Sequence, residues 1–292
     1  MTITDVVLRD GLQDEPVFVP VERRAHIAET LVRAGVRNIE AVSFVSPTRV
    51  PQMAGAEELV GLLRTMPNAA AVRFSGLALN GRGAARAIDA GLQEVHVAMS
   101  ASRAHSKANA GSDVEELLGN LRTVVSAHPE VTFTAGISTS FICPFEGDIP
   151  ADRVVELAAA FLELGIRQIG LADTLGTATT DHVMTTVDTV LSAVPEVELS
   201  LHLHDAAGQA LATVDAAIER GITRFDAATG GYGGCPFAPG AHGNIATEDL
   251  IGHLHARGIH TGIDEHLLDE AVRTIHREIA SAAPLVPEHG ET

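Results

Sequence analysis

Lysine is almost missing from this chain: Lys107 is the only one among 20 basic residues. The remaining fixed positive charge is guanidinium, suited to forked contacts with carboxylate or phosphate, and Lys107 is left as the one candidate for a Schiff base. Cysteine is nearly as scarce. Cys143 and Cys235 have no short Cys-x-x-Cys spacing, which excludes a disulfide framework and a thiolate zinc site and fits a reducing compartment, the cytosol by default. Positive charge as a whole is outnumbered: 20 Lys and Arg face 38 Asp and Glu, a formal net charge of −18 that argues against broad contact with nucleic acid or anionic lipid. An anionic ligand must therefore be held by a local patch. No apolar run approaches the roughly eighteen residues of a membrane span. Asp5, Arg9 and Asp10 interrupt the opening segment where a signal peptide would need apolar residues, so neither insertion nor export is expected.

What is present is apolar material with a clear period. With 292 residues, 46% of them hydrophobic, the chain can bury a core without staples. Short β-branched runs alternate with longer amphipathic stretches. Strands are expected at 3–8, 36–43, 72–78, 94–99, 131–138, 166–172, 198–204 and 223–227. Helices are expected near 20–34, 54–65, 82–90, 112–127, 150–164, 179–193, 206–220 and 246–257, with a further one near 264–282. A junction of Gly, aliphatic, two variable residues and an apolar residue recurs at Gly35, Gly91, Gly165 and Gly221, at spacings of 56, 74 and 56 residues. Each glycine fits a left-handed helix cap feeding a strand. The even repeat favours an α/β fold of the closed (β/α)8 TIM-barrel type, with an extra C-terminal helix, over an open doubly wound sheet. One catalytic domain over residues 1–285 is expected, followed by a polar tail at 286–292.

Such a barrel places its chemistry at the C-terminal ends of the strands and in the loops that follow. Unusual polar residues gather there. Arg9 and Asp10 are expected to close the first strand, with Glu40 and Ser43 at the second; Asp173 and Thr174 follow the sixth, and His202, His204 and Asp205 end the seventh. On a strand, His202 and His204 project to one face while Leu201 and Leu203 point oppositely. Two imidazoles so placed can share a divalent ion, and Asp10 and Asn244 could supply oxygen ligands. A nitrogen and oxygen set without cysteine suits Mg²⁺ or Mn²⁺, zinc staying open, while a pair of hydrogen-bonded structural histidines is the plain alternative. Arg9 beside a metal-ligating Asp10 would set a fixed positive charge where an enolate or carboxylate oxygen could be stabilised; a salt-bridged surface turn is the other reading. The glycine-dense stretch from Gly230 to Asn244 follows the eighth strand, where a loop could close over the site. Its Cys235 thiol could move a proton to or from carbon if the metal and Arg9 lower its pKa, or be incidental to a phosphate cradle.

The motifs Leu8-Arg9-Asp10-Gly11-Leu12-Gln13-Asp14-Glu15, Ser43-Phe44-Val45-Ser46-Pro47, Pro51-Gln52-Met53, Cys143-Pro144-Phe145-Glu146-Gly147, His202-Leu203-His204-Asp205, Gly208-Gln209-Ala210-Leu211 and Gly233-Gly234-Cys235-Pro236-Phe237-Ala238 through Gly243-Asn244-Ile245-Ala246-Thr247-Glu248-Asp249 run in register from Val6 to about Gly262. Together they resemble the 3-hydroxy-3-methylglutaryl-CoA lyase family of metal-dependent TIM-barrel lyases. The resemblance implies Asp10, His202, His204 and Asn244 as metal ligands, Arg9 as enolate stabiliser, Glu40 and Asp173 as supporting site residues and Cys235 as loop acid/base. With Arg9, the expected substrate contacts are Gln13, Lys107 and Asn109, Lys107 lying in the loop after the fourth strand within reach of a CoA phosphate. Departures from the family pattern are Val7-Leu8 for Gly-Pro, Asp14 for Asn, Ala206-Ala207 for Thr-Tyr and His242 for a small hydroxyl residue. The missing aromatic at Ala207 enlarges the expected pocket, so the acyl group stays open.

The implied reaction cleaves a 3-hydroxy-3-carboxymethyl acyl-CoA to acetyl-CoA and a β-keto acid. His202 or a neighbour such as Asp10 would remove the hydroxyl proton, Arg9 would stabilise the enolate oxygen and Cys235 would protonate its carbon. Alternatives are a related aldolase or Claisen synthase acting on an oxo acid, and a non-catalytic barrel that binds acyl-CoA. A homodimer is a family expectation.

Overall fold

The computed structural model describes residues 1–109, 114–234 and 243–285; Cys235 and the expected tail at 286–292 lie outside them. Eight parallel strands, β1 (Thr2–Asp5), β2 (Asn38–Ser43), β3 (Arg73–Ala78), β4 (Glu94–Ser100), β5 (Thr132–Ser138), β6 (Gln168–Asp173), β7 (Glu198–Leu203) and β8 (Arg224–Ala227), close into a barrel. Each pairs with its neighbours in chain order, and β1 closes the ring against both β8 and β2. Around it run α1 (Val21–Arg33), α2 (Ala56–Thr65), α3 (Gly81–Asp89), α4 (Arg103–Asn109), α5 (Val114–Ala127), α6 (Ala151–Glu163), α7 (Thr180–Ala193), α8 (Ala210–Glu219), α9 (Thr247–Ala256) and α10 (Glu265–Ala280). The expected C-terminal helix is α10, which buries Leu268, Ala271 and Ile275 and packs on α1, where the ion pair Arg23–Glu278 joins the two. No described helix is long and apolar enough to cross a membrane.

The four junction glycines behave as their positions require. Gly35, Gly91, Gly165 and Gly221 sit at φ of +99°, +94°, +85° and +82°, each ending a helix in the left-handed region just before a strand. A side chain there would cost on the order of 1–2 kcal/mol of backbone strain.

Apolar burial is concentrated between strands and helices. Ile27 and Leu31 of α1, Leu59 and Leu63 of α2 and Leu157 and Phe161 of α6 are fully or almost fully buried there, each contributing about 1.5–3 kcal/mol. The lumen is different. Its lining includes Asn38, Glu40, Ser75, His96, Thr134 and Asp226, around a cavity of about 50 Å³. Gly136 on β5 leaves room for His96, whose Nε2 would lie 2.6 Å from a Cβ built on it.

Two local expectations are corrected. The first strand ends at Asp5, not at Leu8, and Val7–Gly11 forms a π-helical turn in which the amides of Arg9, Asp10 and Gly11 converge on the Val6 carbonyl at 3.1, 2.7 and 3.2 Å. The side chain of Asp5 takes the Val7 amide at 3.0 Å and draws the chain out of the sheet. Arg9 and Asp10 are thus presented by a turn above the barrel. Lys107 and Asn109 stand on the short helix α4 and not in a loop, and Lys107 is exposed.

Candidate metal centre

Strand β7 delivers the histidines. Leu201 and Leu203 are buried on its outer face, and His202 and His204 turn inward at the C-terminal mouth of the lumen with their Nε2 atoms 3.2 Å apart. The π-helical turn brings Asp10 over them, its Oδ2 3.8 Å from Nε2 of His202 and 3.6 Å from Nε2 of His204. Asn244 arrives from the far end of the glycine-rich loop. Backbone bonds pin it, Ile245 donating to the Leu203 carbonyl at 2.9 Å and Asp205 to the Gly243 carbonyl at 3.2 Å. Asn244 Nδ2 donates to Asp10 Oδ2 at 2.6 Å and to the Tyr232 carbonyl at 3.0 Å. Gly233, at φ +107°, leaves this contact open, since a Cβ there would stand 3.0 Å from Asp10 Oδ2.

These residues fit a cation. Asn244 Oδ1 is buried with no hydrogen-bond partner among the described residues, an acceptor lacking a donor. Two imidazole nitrogens and a carboxylate oxygen face one another at 3.2, 3.8 and 3.6 Å, spacings that the ligands of a single ion also take. Asp10, His202 and His204 are the one group of its kind among the described residues, a possible metal-binding triad.

Charge around the triad is ordered by Arg9. Its Nε donates to Glu40 Oε1 and its Nη1 to Asp10 Oδ1. Burial works against the Arg9 charge, but the carboxylates of Glu40 and then Asp10 raise its pKa well above the ordinary arginine value. Burial alone would raise the Asp10 carboxyl. The Arg9 guanidinium, then the hydrogen bond from His204 and the charge of His202, hold it far below the usual range instead. Glu40, inward on β2 just before a bulge, is thereby the partner of Arg9. The surface-turn reading of Arg9 fails: only 11% of its side chain is exposed.

Asp173 sits beside this group and not in it. Its carboxylate accepts the amides of Gly176 at 3.1 Å and Ala178 at 3.0 Å, shaping the loop that passes His204. Gln13 follows the π-helical turn, half-buried, with Oε1 lacking a partner among the described residues. Cys235 lies outside the described residues, as does the Asn109 side chain. Two carboxylates escaped the sequence reading. Asp5, fully buried, accepts Thr229 N at 3.1 Å, Thr229 Oγ1 at 2.5 Å and Thr247 Oγ1 at 2.7 Å, and so ties both stems of the glycine-rich loop to β1. Asp226 meets His202 from β8 at 3.2 Å. Its in-phase position on the last strand was the available signal.

A closed (β/α)8 barrel with a possible metal-binding triad at the mouth of its lumen, backed by a buried arginine, points to the class of metal-dependent TIM-barrel enzymes. Within that class the HMGL-like family matches residues 1–275. Hydroxymethylglutaryl-CoA lyase YngG of Bacillus subtilis is 36% identical over 286 residues, covering 97% of this chain and 95% of that protein. (R)-citramalyl-CoA lyase of Chloroflexus aurantiacus is 37% identical over 305 residues, covering 99% of this chain and 96% of its own. A solved structure, the HMG-CoA lyase from Acinetobacter baumannii in complex with coenzyme A and 3-methylmalate, matches with a TM-score of 0.90 at 38% identity over 100% of this chain and 95% of that one. The chain belongs to the HMGL-like family.

Proposed function

We propose that this chain is a metal-dependent carbon–carbon lyase that cleaves 3-hydroxy-3-methylglutaryl-CoA, or a related branched 3-hydroxyacyl-CoA, to acetyl-CoA and a β-keto acid, acetoacetate for the parent substrate. The observation that carries it is Arg9, clamped between Glu40 and Asp10 beside the His202–His204 pair. Carbon–carbon cleavage releases a thioester enolate, and a guanidinium already fixed by two carboxylates meets that charge without reorganising. The relatives and the coenzyme A complex support the acyl-CoA reading.

Asp10, His202, His204 and Asn244 would hold the cation, Mg²⁺ or Mn²⁺ by its oxygen and nitrogen donors. When bound, it supplies Lewis acidity that orients the substrate hydroxyl and carboxylate and eases loss of the hydroxyl proton. Asp10 takes that proton on a carboxylate oxygen, the Nε2 lone pair of His202 being committed to the cation. Arg9 pairs with the enolate oxygen, and the Cys235 thiol protonates the enolate carbon to give the acetyl methyl group. Glu40 keeps Arg9 in place, and Asp173 shapes the adjoining loop. Gln13, Lys107 and Asn109 contact the substrate, Lys107 through a CoA phosphate. The working state is a cytoplasmic enzyme, as a homodimer.

The test is to incubate full-length protein loaded with Mg²⁺ or Mn²⁺ with 3-hydroxy-3-methylglutaryl-CoA and longer-branched analogues and to identify products by mass. Acetyl-CoA with the matching keto acid is expected. The reading falls if every acyl-CoA is returned intact. Cys235→Ala should lower kcat by about 10²–10⁴ with coenzyme A binding retained.

A further inference from the structure

The two imidazoles of the triad are held differently. Asp226 is the register partner of His202 on the neighbouring strand, and its Oδ2 lies 3.2 Å from His202 Nδ1. Nε2 of the same ring is turned towards His204 and Asp10, at 3.2 and 3.8 Å. His204 has no such support: its Nδ1 is buried without a partner among the described residues. An imidazole that offers an Nε2 lone pair to a cation carries its proton on Nδ1, and that proton needs an acceptor.

We propose that Asp226 is a positioning residue of the centre, accepting the Nδ1–H of His202 so that the ring is held in one tautomer and at one angle, with Nε2 presented to a divalent cation. The inference rests on the metal reading above and adds to it a carboxylate beneath the triad. Asp226 and Glu40 act in parallel from the lumen, one orienting His202 and the other Arg9. Asp226 is suited to this because it borders the polar cavity, where Ser200, Thr4 and Arg224 also line the space. A carboxylate in such surroundings keeps polar company when it turns one oxygen to an imidazole. The role is one of orientation, since Asp226 stands behind the ring, on the side away from Asp10.

Full-length Asp226→Ala and Asp226→Asn are titrated with Mn²⁺ by calorimetry beside wild type and His202→Ala. The tautomer of His202 in Mg²⁺-loaded wild type is read by nitrogen NMR of labelled histidine. Asp226→Ala should weaken Mn²⁺ binding by about 10–100-fold. Asp226→Asn should weaken it less, because an amide oxygen still accepts Nδ1–H. Wild-type His202 should show the Nδ1–H form, a readout that holds even if the alanine variant fails to fold. The proposal is overturned if Asp226→Ala binds Mn²⁺ within twofold of wild type while His202→Ala has lost it, or if loaded wild type carries the His202 proton on Nε2. If His202→Ala binds Mn²⁺ as tightly as wild type, the metal reading itself fails and this inference with it.

Discussion

Asp14 places a carboxyl four residues beyond Asp10, in the segment that follows the π-helical turn. Burial, and then the charge of Asp10, push it up to about 7 from an ordinary 3.8. A raised folded-state pKa stabilises below the unfolded value, and that stability is lost as pH rises through the folded one. Wild-type protein freed of metal should therefore lose stability between about pH 4 and pH 7 through this one group. Asp14→Asn should remove that loss. Its gain over wild type in urea unfolding should be larger at about pH 8 than at about pH 4 by roughly 1 kcal/mol, a figure reduced for the group's partial exposure; an equal gain at both would refute the assignment. At this scale the sequence was most readable where a residue type has few other uses at its position. Two histidines in phase on a strand, and Arg-Asp before a glycine, signal chemistry by themselves. Asp226 is marked in the sequence only by its phase on the short last strand, and which imidazole it serves appears when β8 is laid against β7.

Periodicity and caps made the barrel strands legible, because a left-handed glycine followed by alternating apolar residues has few other solutions. The end of β1 was not legible. Val6, Val7 and Leu8 continue a β-like run, and what stops the strand is the Asp5 carboxylate, whose other partners Thr229 and Thr247 lie more than two hundred residues away. Helix α4 was missed because its segment, Arg-Ala-His-Ser-Lys-Ala-Asn, has too few apolar residues to show a helical face. Asp5 also yields the prediction at this scale. Asp5→Ala leaves two threonine hydroxyls and two amides without their acceptor and should destabilise by on the order of 3 kcal/mol in urea unfolding, with activity falling as the loop stems loosen. A cost under about 1 kcal/mol would mean that the clamp is dispensable.

For the whole molecule, the net charge of −18 and the cluster of acceptors at the mouth favour a bound cation as part of the native state. Because the unfolded chain could not assemble the four proposed donors from three separate parts of the barrel, binding would add to folding stability. Mg²⁺ or Mn²⁺ at about one hundred times its dissociation constant should contribute about 2.7 kcal/mol, raising Tm by about 4–5 °C over chelator-treated protein. His202→Ala should abolish the shift, and a shift that survives it would place the ion elsewhere.

With apolar contact gathered in the sleeve between strands and helices, the polar bore of the barrel carries little of the apolar burial. Residues lining that bore can exchange charge or hydrogen-bonding habit within the volume they already fill, leaving the sleeve intact. The reactivity at the mouth is thus open to retuning from underneath, by substitutions that no helix ever feels.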